Sequence, residues 1–213
     1  MVGTRGWEHD AWRETFYDAL LPQEWRFCFF SNLIRSVLVP AGQWQAAAPE
    51  VLDQWMEDSD PEFRFVLELP AGGGDRAALA AQAARLAPRV AGYLLPLPAP
   101  APADPAAWLA DWQGMGPLCV DAGPRPAPAL AAVCAAAGAG LAWHPGSQEA
   151  PAEPGALLVA LVDRAELRDL RRIVERLGVW MGERRNAGLF FTAPEPAPRL
   201  AEEARIIAEL LGV

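Results

Sequence analysis

Four residues offer most of the chemistry in this sequence: Glu68, Asp121, His144 and Asp163. Each stands at or near the end of a short apolar run: "FRFVLEL", "PLCVD", "GLAWH" and "ALLVALVD". Carboxylates beside one imidazole suit acid–base work or a divalent cation. Asp121, Glu68 and His144 are therefore the candidate catalytic groups. Their separations match no known metal motif, so no metal ligands and no cofactor are assigned. His9 and His144 are the only histidines. His9, between Glu8 and Asp10, reads as a surface group. A Cys119–His144 dyad is conceivable, but nothing around Cys119 resembles a thiol-enzyme signature. Cys28, Cys119 and Cys134 are too scattered for a disulfide framework and read as small buried apolar groups. "PAGGGD" could cradle a phosphate at a helix start. It has no lysine, and Asp75 would repel an anion, so a turn is the default.

Binding residues form a second group. In "VGTRGW", Arg5 shares the strand parity of Gly3 and Trp7. Pointing inward, it would need a carboxylate partner, Glu68 or Asp121. Trp7, Trp44 and Trp143 fall at strand ends or in loops. They could line a pocket for an apolar or sugar-like ligand, or simply plug it. Arg5, Trp7, Trp44, Trp143, Asp163 and Thr192 make up the candidate ligand-binding set.

These residues need a scaffold that gathers strand ends. The pattern predicts eight strands: Val2–Trp7, Ser36–Val39, Phe63–Leu69, "VAGYLLPL", "PLCVD", "GLAWH", "ALLVALV" and "GLFFT". Seven helices fall between or after them: Glu24–Arg35, Pro49–Asp58, Asp75–Ala87, "DPAAWLADW", Ala127–Ala137, Arg164–Arg185 and Arg199–Leu211. Asp75 and Asp104 are expected N-caps, with Pro105 at a first helical position. Strands separated by helices pair in parallel, and nearly unbroken apolar strands are buried on both faces. The expected fold class is α/β: one compact TIM-like (β/α)8 barrel domain over residues 1–213. The stretch "PGSQEAPAEPG", Pro145–Gly155, is not helical, so the helix between strands six and seven is reduced or absent. A doubly wound open sheet is the competing architecture. Pro-, Gly- and Ala-rich loops follow the strands and would gather on the carboxyl face.

Composition narrows the partners. The 213 residues are 52% hydrophobic, enough for one sizeable core, and carry a net charge of −9. That charge disfavours nucleic acid and an anionic membrane surface. All 18 basic residues are arginine, which excludes Schiff-base and P-loop lysine chemistry. It also reads, with the many Ala and Pro, as a GC-rich bacterial genome. No run is long enough to span a bilayer and no signal peptide is visible. The expected location is cytoplasmic.

The segments "GTRGWEHDAWRETFY", "LPQEWRFCFFSNLIRSVLVP", "WMEDSDPEFRFVLELP" and "LAPRVAGYLLPLPA" resemble the YecE-like family, domain of unknown function 72. The resemblance runs on more weakly through "PLCVDAGP" and "GLFFTAPEPAPRLAEEARIIAELL". It implies a TIM barrel and supplies no reaction. Where the family typically has Glu and Asn after its second strand, this sequence has Leu38 and Pro40. Glu68 replaces a frequent Lys, Asp121 keeps an acid without the following Arg and His, and His144 replaces an acid. Phe191, Thr192 and Ala193 stand for Phe-Asn-Asn. The chain resembles a short, divergent member.

The reading favoured by these replacements is a divergent barrel of unestablished function, without need of catalysis, binding a small molecule at the carboxyl-end mouth. One alternative is a small-molecule enzyme using Asp121, Glu68 and His144. Another is a protein-interaction module on the Pro-rich face, and a protein partner or homo-oligomer stays open.

Overall fold

The computed structural model describes residues 1–147, 149–150, 155–181 and 186–213. Eight strands form one sheet: β1 (Val2–Arg5), β2 (Ser36–Val39), β3 (Arg64–Glu68), β4 (Val90–Pro96), β5 (Leu118–Asp121), β6 (Gly140–Leu141), β7 (Leu157–Val162) and β8 (Asn186–Phe191). Their order is β6-β5-β4-β3-β2-β1-β8-β7, and every strand pairing is parallel. Among the described residues, a bridge between Trp143 and Ala160 joins β6 to β7. There the Trp143 N–H donates to the Val159 carbonyl at 2.9 Å, and Leu161 N–H to Trp143 at 2.8 Å. That seam turns the sheet into a nearly closed barrel, the TIM-like fold the strand pattern predicts.

Helices follow most strands: α1 (Arg26–Leu33), α2 (Ala41–Gln45), α3 (Pro49–Asp58), α4 (Arg76–Leu86), α5 (Pro105–Ala110), α6 (Pro128–Ala136), α7 (Leu167–Trp180) and α8 (Ala197–Leu211). The short α2 lies in "PAGQWQ", which the sequence reading leaves as loop. Asp75 caps α4 by accepting from the Ala77 and Ala78 N–H groups at 2.9 and 3.2 Å. Asp104 caps α5 in the same way. Between β6 and β7 the described residues form turns and no helix; residues 148 and 151–154 of the expected helix-free link lie outside the description. The expected extension of the long helix to Arg185 also falls partly outside it, since 182–185 are not described.

Two cores follow from strand alternation. Leu38, Val66, Leu94, Cys119, Ala142, Val159, Leu161 and Phe190 point into the barrel and fill it. The opposite parity meets the helices. Around β1–β3 that outer core is aromatic: Trp7 packs 4.7 Å from Phe27 and edge-on to Trp55 at 4.8 Å, and Phe63 lies 4.9 Å from Phe65. No described helix is long and apolar enough to cross a membrane.

Candidate functional site

Above the apolar plug, the strand residues that keep inward parity are polar. Arg5 ends β1, Glu68 ends β3 and Asp121 ends β5. His144, Asp163 and Thr192 stand just beyond β6, β7 and β8. All six line one cavity of about 960 Å³ at the carboxyl end of the barrel. Its floor and walls include Leu38, Leu94, Leu161, Pro96 and Pro124.

The polar groups are already paired. Arg5 donates to Glu68 through Nε at 2.9 Å and Nη2 at 3.0 Å. Glu68 is nearly buried, its side chain 13% exposed, whereas that of Arg5 is 42% exposed. The bidentate geometry leaves further guanidinium N–H groups for a ligand. His144 Nε2 lies 2.9 Å from Asp121 Oδ1, which also accepts the Gly123 N–H at 2.8 Å. Burial pushes the Asp121 carboxyl up. The His144 hydrogen bond, the Gly123 N–H, the positive charge His144 carries when protonated and that of Arg5 outweigh it and hold the group below the ordinary aspartate range. Thr192 Oγ1 donates to Asp163 Oδ1.

Asp121 holds one ring nitrogen of His144. With a proton on Nε2, the imidazole keeps the Nδ1 lone pair for accepting another proton. This is the orienting logic of a base–carboxylate pair. Glu68 is placed differently: it anchors Arg5, and its backbone carbonyl accepts the Trp44 indole N–H at 2.8 Å. Among the described residues no group of three His, Cys, Asp or Glu is disposed to hold a metal ion. Asp75 occupies the first N–H groups of α4, the place a phosphate would take on "PAGGGD".

The expected aromatic lining does not form among the described residues. Trp7, Trp44 and Trp143 are buried and none faces the cavity. Gly6, at φ 73°, turns the chain after Arg5 and sends Trp7 outward into the aromatic core. Trp44 sits on α2 behind β3. Trp143 has the parity opposite to His144 and packs toward Trp180 on α7. His9 is not a free surface group; its Nε2 lies 2.8 Å from the Arg5 carbonyl. Cys119 lies in the plug, where burial raises its thiol pKa. Two contributors escape the sequence reading. Arg164 lines the mouth beside Asp163. The Gly123 N–H fixes Asp121, and its signal was the turn-forming "DAGP".

Eight parallel strands with helices between them, and a polar mouth at their carboxyl ends, define a TIM-like (β/α)8 barrel protein. The family model described as "Protein of unknown function DUF72" matches residues 1–111, more than half of the chain, and the chain belongs to that family. It is similar to a DUF72 family protein of Thermotoga maritima MSB8 at a TM-score of 0.73 and 12% identity, covering 100% of this chain and 98% of that one. A DUF72 family protein of Enterococcus faecalis V583 gives 0.70 at 12% identity, over 97% and 94%. At such identity the likeness shows the fold alone. No curated protein matches the chain.

Proposed function

We propose that the protein binds a small polar molecule in the barrel mouth and that the His144–Asp121 pair handles a proton there. One observation carries the reading: polar side chains from six strand ends converge on a single cavity of about 960 Å³. Arg5 offers donors, while Asp121 and Asp163 offer acceptors. That mixture fits a molecule bearing both, such as a hydroxy acid or a polyol. Apolar residues and prolines around these groups suit its carbon skeleton.

Catalysis is the second reading, favoured by the 2.9 Å contact between His144 and Asp121. His144, neutral, would take a proton from the bound molecule; Asp121 would steady the resulting imidazolium. Arg5, held by Glu68, would stabilise negative charge developing on the ligand. Three free thiols support a reducing compartment such as the cytoplasm, and the net charge of −9 argues against nucleic acid as the ligand.

The test is a thermal-shift screen against hydroxy acids, keto acids and polyols, followed by native mass spectrometry of the hits. Ligands should raise the melting temperature of the wild type and of Trp25→Ala, but not of His144→Ala or Arg5→Ala. Hits indifferent to both mouth substitutions, or none at all, would remove the reading. Retained binding with conversion lost in His144→Gln would add the catalytic step.

A further inference from the structure

A second surface lies outside the lining of the mouth, on the helices around the barrel. The helix α1 carries apolar groups on two faces. Phe27 and Phe30 face inward and are buried. Trp25, Phe29 and Leu33 recur every four residues and so share another face. Trp25 is 63% exposed and Leu33 51%. A helix clad in apolar groups on both sides is normally covered on both sides. The Trp25 and Phe29 part of the outer stripe borders a groove between α1 and α3, whereas Leu33 lines a separate cavity. One part, about 560 Å³, is lined by Leu21, Trp25, Cys28 and Phe29 among others. An adjoining part, about 570 Å³, includes the exposed Val51 beside the largely buried Phe27 and Trp55. The two share Glu24, Gln54 and Asp58 and therefore adjoin.

The charged groups lining this groove have one sign. Glu8, Glu24, Glu50 and Asp58 line it, and no arginine does. None of the four carboxylates is in an ion pair among the described residues. The nearby Arg26 guanidinium lies instead over the Tyr17 ring, 5.6 Å from its centroid. Apolar floor and acidic walls together specify the occupant. A second copy docking through the same face would set Glu24 and Asp58 against their own images, which costs energy. A trough between two helices takes a third helix. We propose that the groove between α1 and α3 docks a cationic amphipathic helix of another protein, with Trp25 as its anchor point. This stands independently of the mouth.

The probe is a synthetic helix of leucine, alanine and arginine, with leucines at i, i+3, i+4 and i+7. A twin peptide carries glutamate in place of arginine. Calorimetry on the full chain should show binding of the arginine peptide only, weakened by added salt. Trp25→Ala should raise the dissociation constant about tenfold or more, with an unchanged melting temperature because the ring is mostly exposed. The double variant Glu24→Arg/Asp58→Arg should switch preference to the glutamate twin. Equal binding of the twins, no binding of the arginine peptide, or indifference to Trp25→Ala overturns the proposal. Sedimentation showing a dimer that Trp25→Glu dissociates would assign the face to a second copy and overturn it too.

Discussion

Asp121 joins the most partners in the mouth, and its ionisation ties stability to pH. Its carboxyl titrates below the ordinary aspartate range in the folded chain and within that range when unfolded. The stability it contributes is therefore complete above about pH 4 and drains away as pH falls through the lowered folded value. Asp121→Asn should lose this part of the acid dependence, measured as a smaller drop in melting temperature between about pH 6 and pH 3. Residue types and strand-end positions made Glu68, Asp121, His144 and Asp163 legible in the sequence. Their partnerships were not, because pairing depends on which strands are neighbours and on loop backbone. Gly123 fixes Asp121 through an N–H, a group that every residue but proline carries. The tryptophans misled for a related reason: strand ends have a parity, and Trp7 follows a glycine that breaks it.

Among the elements, boundaries with a chemical marker were readable. Asp75 and Asp104 announce α4 and α5 because a carboxylate can satisfy otherwise unpaired N–H groups. The five residues of α2 are too few to show a period and include Gly42, so the sequence conceals it. β6 is shorter than "GLAWH" suggests, with two ladder residues and a bridge. Its approach to β7 depends on Gly155, at φ 67°. A Cβ there would lie 2.4 Å from the Gly140 nitrogen and 2.5 Å from the Ala139 carbonyl carbon. Gly123 has a similar φ, 71°, with open space around it. Gly155→Ala should cost about 2–4 kcal/mol, through strain plus overlap, and Gly123→Ala only about 1–2 kcal/mol. Urea denaturation of the two variants separates the contributions.

At the scale of the whole molecule, the eight-strand count and parallel order were legible because each apolar run is punctuated by a helical period or a Pro-rich loop. Closure was not, since it rests on the backbone contacts of Trp143. β2 and β3 are paired over four residues and buried under the aromatic core, whereas among the described residues β6 meets β7 at the Trp143–Ala160 bridge and not over a ladder. Native-state hydrogen exchange should therefore release the Trp143 and Leu161 amides well before those of Val37 and Val66. Matching rates across both pairs would show a barrel that opens only as a unit. The mouth above this barrel has a thermodynamic consequence. Arg5, Asp121, His144 and Thr192 are held by partners within the chain before any guest arrives. Their rotamer freedom is spent during folding, so little ordering entropy is left to oppose capture. Under the proposed binding role, selectivity would come from rigid matching of donors and acceptors, and a guest of the wrong shape would meet a template that does not bend to it.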